Sequence, residues 1–208
     1  MNVVLYGATG KSGQRILAEL LSRGHSVTAV ARNTAGLPSS VKSQRDDLSD
    51  VDKIVAIIKG AEAVVSAYAP PPDDTDQIIG VTRRQIEAIR KAGSRTRLIV
   101  VGGAGSLEVA PGVSLLKSGH LPKEWVPIAT SHEKALRLLE ASDINWTYFS
   151  PAAFFEPGER TGKFRLGKRN LVADEKGNSR ISLEDYAIAL VDELEKPAHE
   201  RQQFTIGY

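Results

Sequence analysis

The stretch Val3-Val4-Leu5-Tyr6-Gly7-Ala8-Thr9-Gly10-Lys11-Ser12-Gly13 constrains this chain more than any other. Apolar and aromatic residues suited to a buried strand run into a glycine-rich turn. A helix with Ile16, Leu17, Leu20 and Leu21 on one face follows at once. So tight a reversal needs residues without bulky Cβ substituents. Gly10 would let an anion approach the backbone, and Gly13 would let the helix lie close to the sheet. The unpaired N–H groups of the first helical turn, with roughly half a positive charge from the helix dipole, then face that anion. Strand, turn and helix in this order open a βαβ unit, and the anion that fits is a dinucleotide pyrophosphate.

The same alternation continues. Strands are predicted at 2–6, 26–31, 41–45, 63–69, 98–101 and 145–150, the last with the apolar, β-branched and aromatic content of a central strand. Helices are predicted at 11–23, 51–59, 75–92 and 128–141, and Gly24, Gly60 and Gly93 close the first three. Beyond Pro151 the pattern weakens: 164–166 and 171–173 read as a hairpin, 183–195 as a helix and 204–206 as a last edge strand. The 104–126 stretch, rich in Gly and Pro, reads as one long lid or binding loop. The fold class that follows is α/β, a doubly wound, mostly parallel sheet of the Rossmann type. One domain spans 1–208, with 151–208 as a small substrate-side extension.

Composition narrows the function classes. At 208 residues the chain buries a core without staples, and the absence of cysteine excludes disulfides, thiolate catalysis and Cys-based metal sites. No metal site is expected. A net charge of +2 is too small to imply nucleic-acid binding. No apolar run approaches the roughly 20 residues of a membrane helix, and no secretory signal pattern opens the sequence. The expectation is a soluble, cytoplasmic protein, monomer or homodimer, whose partner is a small molecule. Seven Lys and Arg between 160 and 180, against Asp174 and Glu175, form either a solvated hairpin or a phosphate-facing flap.

The end of the second strand reports cofactor choice. NAD sites place an acidic residue there for the ribose 2′-hydroxyl, and this chain has Arg32-Asn33. A guanidinium offers paired donors to a 2′-phosphate, so NADP(H) is preferred over NAD(H).

The Gly7-x-x-Gly10-x-x-Gly13 form, Asp47-Leu48-Ser49-Asp50 and Ala67-Tyr68-Ala69 together resemble the extended and atypical short-chain dehydrogenases. Gly102-Gly103-Ala104-Gly105-Ser106-Leu107, the segment Trp146–Gly158 and Ser182-Leu183-Glu184-Asp185-Tyr186-Ala187 narrow this to small NAD(P)H-binding proteins called NADH-flavin reductases. Those are similar to biliverdin reductase B and to NmrA-like proteins. The resemblance implies that Gly7, Thr9, Gly10, Lys11, Ser12, Gly13 and Arg32 hold the dinucleotide. It further implies that Asp47 meets the adenine amino group, that Leu48 packs on that ring, and that Ala67, Tyr68 and Ala69 flank the nicotinamide ribose. Read alone, Asp47 is equally a helix N-cap. Ser182 and Asp185 read as a capping box with Asp in place of Glu.

One departure matters. No tyrosine is followed four residues later by lysine. The expected slot reads Thr130-Ser131-His132-Glu133-Lys134, where Lys134 survives and Thr130 replaces the tyrosine. Carbonyl and epimerase chemistry are thereby weakened, leaving His132, Tyr148 and Lys134 as weak catalytic candidates. The reading that follows is a reductase passing hydride from NADPH to FMN, another flavin or a quinone-like acceptor. Gly103, Ser150, Pro151, Phe154 and Phe155, with the long loop, would shape its cleft. The alternative is a regulator that senses NADP(H) without turnover.

Overall fold

Successive residues of strand β1 (Asn2–Tyr6) point to opposite faces of a sheet, and here both sets are apolar. Val3 and Leu5 enter one core, Val4 and Tyr6 another. A strand apolar on both faces must be covered on both. The computed structural model, which describes residues 1–93 and 95–208, has that architecture.

The chain runs β1, α1 (Lys11–Ser22), β2 (Ser26–Ala31), β3 (Lys42–Arg45), α2 (Val51–Ile58), β4 (Ala63–Ser66), α3 (Gln77–Lys91) and β5 (Arg97–Val101). It continues through β6 (Glu108–Ala110), β7 (Val113–Ser114), α4 (Val126–Glu140), β8 (Trp146–Ser150), β9 (Phe154–Glu156), β10 (Arg165–Gly167), β11 (Arg180–Ser182), α5 (Leu183–Glu195) and β12 (Gln202–Gly207). The main sheet has the order β10-β12-β8-β5-β4-β1-β2-β3 and is parallel except at β10. The chain order reverses between β1 and β4, which is where open α/β sheets of this Rossmann-like kind bind ligands.

Helices α1 and α5 cover one face, with Ile16, Leu17, Leu20, Leu190 and Leu194 in its core. Helices α2, α3 and α4 cover the other through Ile54, Ile58, Ile86, Ile89, Leu136 and Leu139. Phe149 stacks between Tyr186 (4.2 Å) and Phe204 (4.0 Å), so β8 and β12 are locked to α5. Strand β8 lies between β5 and β12, the internal position its composition predicts.

Beyond β5 the structure corrects three expectations. Residues 164–166 and 171–173 do not form a hairpin with each other: β10 pairs antiparallel with β12, and Leu171 donates instead to the Glu108 carbonyl. Strand β12 is therefore not an edge; β10 is, and Phe204 is fully buried. The 104–126 stretch is not one structureless loop, because β6 and β7 pair within it and a 3-10 turn at Lys123–Trp125 leads into α4. Strands β9 and β11 form a small parallel sheet of their own beyond β8. Among the described residues no helix is long and apolar enough to cross a membrane, and no His/Cys/Asp/Glu cluster could hold a metal.

Candidate functional site

The turn leaving β1 is built by close approach. Gly7 has φ +73°, and a Cβ on it would lie 2.3 Å from the Ala67 carbonyl oxygen on the neighbouring strand end. A Cβ on Gly13 would lie 2.0 Å from the Gly7 carbonyl oxygen, so α1 packs against the turn at a distance only glycine permits. Gly10 differs. Its backbone is in the ordinary extended region, and an added Cβ would meet only the Gly7 carbonyl oxygen, at 3.2 Å. Gly10 stands at the N-cap of α1, and among the described residues no side chain caps that helix. The first-turn N–H groups at Lys11, Ser12 and Gly13 thus lack a side-chain acceptor, as a site for an external anion requires.

In front of this turn lies a cavity of about 320 Å³. It gathers Gly7, Thr9, Gly10, Arg32, Asp47, Leu48, Ala67, Tyr68 and Ala69, residues from four separate segments. Lys11, Ser12 and Gly13 border it as the first turn of α1. Arg32 is exposed, and its guanidinium has no ion-pair or hydrogen-bond partner among the described residues. Sequence reasoning missed Arg45, which the β2–β3 register sets opposite Ala31 and whose Nε donates to the Arg32 carbonyl (3.2 Å). Two guanidiniums therefore stand at the end of β2.

Asp47 is exposed and closes a turn by accepting from the Ser49 amide (3.0 Å) and hydroxyl (2.6 Å), bonds that lower its pKa. It is not the N-cap of α2; that residue is Asp50, which accepts from the Asp52 and Lys53 amides. Leu48 has φ +63°, a strained value for a β-carbon residue, and Arg84 of α3 holds it there by donating to its carbonyl. Two buried groups among the residues lining the cavity were also missed. Among the described residues the Tyr6 hydroxyl and the Asp46 carboxylate have no hydrogen-bond partner, and Asp46 has an ion pair with Lys53 at 3.4 Å. Burial and the Asp46 charge push the Tyr6 hydroxyl pKa far up.

The acceptor-side residues are brought together less completely. Ser150 is fully buried and accepts from Gln203 (2.9 Å), and Phe155 packs inward on Tyr186 with ring centroids 4.7 Å apart. Neither lines the cavity at the glycine turn. Strand alternation turns Phe155 inward: Phe154 and Phe155 must point to opposite faces of β9, and Phe154 takes the solvent side. Pro151 is buried at the end of β8.

Gly103 donates its N–H to the Tyr148 hydroxyl (3.0 Å), and that hydroxyl lies 3.0 Å from Nδ1 of His132. The same hydroxyl also donates to the His132 carbonyl (3.3 Å). Burial lowers the His132 pKa to about 4, so at neutral pH this ring is uncharged. Tyr148 is fully buried, and burial raises its pKa. Lys134 points away, its ammonium 3.3 Å from Asp76, and Thr130 bonds back to the Val126 carbonyl. Neither His132 nor Lys134 therefore offers a charged proton donor beside Gly103.

The Ser182–Tyr186 segment is a clamp rather than a reciprocal capping box. Ser182 caps α5 by accepting from the Asp185 amide (3.0 Å), but the Ser182 amide donates to the Tyr208 hydroxyl, not to Asp185. The buried Asp185 carboxylate accepts from the Thr161 amide (2.8 Å), the Thr161 hydroxyl (2.6 Å), the Gly162 amide (2.8 Å) and the Tyr208 hydroxyl (2.9 Å). Glu184 accepts from the Gly158 amide (2.8 Å) and pairs with Arg15 of α1.

A glycine turn at the switch point of a doubly wound sheet, with an uncapped helix and cations at the end of β2, defines a dinucleotide-binding protein. The model of a family described as NAD(P)H-binding matches residues 7–197, and the chain belongs to that family. It is 41% identical to the uncharacterized protein YwnB of Bacillus subtilis (strain 168), over 99% of this chain and 98% of that one. Among solved structures it resembles a candidate exported protein of Burkholderia pseudomallei (44% identity, TM-score 0.91, 100% of both chains). It also resembles a candidate NADH-flavin reductase of Streptococcus pneumoniae (34% identity, TM-score 0.92, 100% of this chain and 99% of that one).

Proposed function

We propose that the protein is an NADPH-dependent reductase that delivers hydride to a flavin, or to a flavin- or quinone-like acceptor, bound beyond the nicotinamide. The carrying observation is that neither proton-donor candidate on α4 is charged and free: His132 is neutral and engaged with Tyr148, and Lys134 is turned to Asp76. The dinucleotide supplies two electrons as hydride, and an acceptor of this kind takes its accompanying proton from water. The protein then contributes positioning. The N-terminus of α1 holds the pyrophosphate, Arg32 and Arg45 the 2′-phosphate, and the Ala67–Ala69 segment the nicotinamide ribose. The Tyr148–Gly103 bond fixes the loop after β5. The similarity to the Streptococcus pneumoniae protein supports the acceptor class.

The test is NADPH oxidation by the purified protein with FMN, riboflavin and a soluble quinone as acceptors. Saturable turnover with any of them supports the reading. Tight NADPH binding without turnover on any of them overturns it and leaves an NADP(H)-sensing regulator.

A further inference from the structure

Two large aromatic side chains stand outside the cofactor cavity and largely in solvent. Trp125, in the 3-10 turn before α4, is 38% exposed, and Phe154, at the start of β9, is 52% exposed. They meet edge to face, with ring centroids 5.9 Å apart and planes at 75°. They come from segments 29 positions apart in sequence, so local chain geometry does not account for the contact.

Both backbones are held firmly. Trp125 donates to the Pro122 carbonyl (2.9 Å), and α4 is tied down by Ser131, within 2.6 Å of Asp76 and 2.8 Å of Thr75. Phe154 donates to the Ser179 carbonyl (2.9 Å), and Ala153 to the Ser179 hydroxyl (3.1 Å). The segments that carry both rings are therefore fixed in place.

Topology places them on the acceptor side. A dinucleotide laid across the switch point has its adenine over β2 and its nicotinamide toward β5. The next strand outward is β8, from whose end the Phe154 segment emerges. Beside Phe154 a second cavity, of about 370 Å³, is lined by Glu156, Glu159, Arg180 and Ser182. The side chains of Glu156, Glu159 and Arg180 have no ion-pair or hydrogen-bond partner among the described residues. Charges of both signs, with two carboxylates to one guanidinium, suit a neutral polyhydroxylated chain better than a phosphate.

We propose that Trp125 and Phe154 form an aromatic clamp for the ring system of a flat, conjugated, multi-ring acceptor, with the adjoining cavity taking its uncharged polar tail. The clamp rests on the reductase reading for the fate of the bound ring, not for its binding. A face-on ligand replaces an edge contact between two hydrated rings by stacking on one or both of them.

The probes are riboflavin and FMN, titrated with protein holding NADP⁺ and followed by the flavin's own fluorescence, which stacking on an indole quenches. Saturable quenching is expected, with half-saturation for the two flavins within about threefold of each other. Trp125→Ala should raise the half-saturation by about tenfold or more, as loss of one stacking partner does. Trp125→Phe should stay within about threefold of the parent, and NADPH affinity should be unchanged in both. Unaltered quenching in Trp125→Ala overturns the clamp, and strong preference for FMN overturns the neutral tail. Quenching without NADPH oxidation sinks the reductase reading and leaves the clamp. Oxidation whose flavin KM is unmoved by Trp125→Ala sinks the clamp and leaves the reading.

Discussion

Replacing Gly10 by alanine separates the turn's two duties, holding the fold and holding an anion. The φ of −73° and ψ of 168° at Gly10 are open to any residue, and the added Cβ would sit 3.2 Å from the Gly7 carbonyl oxygen. A shift of a few tenths of an ångström relieves that contact. At about 1 kcal/mol, the cost lowers Tm by about 2–4 °C for a chain of this size. On the dinucleotide reading, the same methyl group takes up space in front of the α1 N-terminus, where the pyrophosphate would lie. A hydrogen bond to a charged group contributes about 1.5–3 kcal/mol, so displacing the pyrophosphate from two of them weakens NADPH binding roughly 10²–10⁴-fold. Gly13→Ala is the contrast: its Cβ would lie 2.0 Å from the Gly7 carbonyl oxygen, so the helix itself must move and Tm must fall much further. Calorimetric titration with NADPH, together with thermal unfolding of all three proteins, reads both effects. A folded Gly10→Ala protein that binds NADPH within about threefold of the parent would refute the cradle.

Arg32→Ala should cost NADPH about 1.5–3 kcal/mol of binding and NADH much less, read by titration with each cofactor; an unchanged preference would remove Arg32 from the 2′-phosphate site. The depressed His132 pKa implies that the unfolded chain binds the extra proton between about pH 6.5 and 4. Stability from this group is then complete above pH 6.5 and falls as pH drops toward 4, and denaturant unfolding of His132→Asn should show a flatter profile across that window. Asp185→Ala leaves the Thr161 and Gly162 amides without their acceptor; a loss of about 2–4 kcal/mol in chemical denaturation is expected, with faster amide exchange at 158–162.

The cofactor half of the site was legible because its signals are local. A strand, three glycines and a helix start within eleven residues fix the turn, and Arg32 follows at a set distance along the next strand. What escaped depends on contacts that no window of sequence contains. Strands β9 and β11 pair across 23 intervening residues, and nothing near Phe154 announces Arg180 as its partner. Leu166 carries the only large apolar side chain of β10 and is half exposed, so that strand has no periodicity to display and its pairing with β12 is invisible. Arg45 ranks as an ordinary surface cation until the β2–β3 register sets it beside Arg32. Ser182 and Asp185 have capping-box spacing, but the carboxylate is taken by a loop more than twenty positions upstream.

Helix α1 is fastened at more than its tip. Arg15 pairs with Glu184 at 3.0 Å, and Glu19, buried, is shared between Arg23 and Arg160 of the 157–163 loop. An α-helix turns about 100° per residue, so a single insertion or deletion in the glycine turn would swing Arg15 and Glu19 away from both partners. The spacing between Gly7 and Gly13 is thus set twice over, once by the close contacts within the turn and once by the partners of Arg15 and Glu19. Lineages that lengthen this turn should carry matching changes at 15, 19, 160 and 184. Grafting the turn alone from a distant relative should loosen the acceptor side while leaving the cofactor pocket intact.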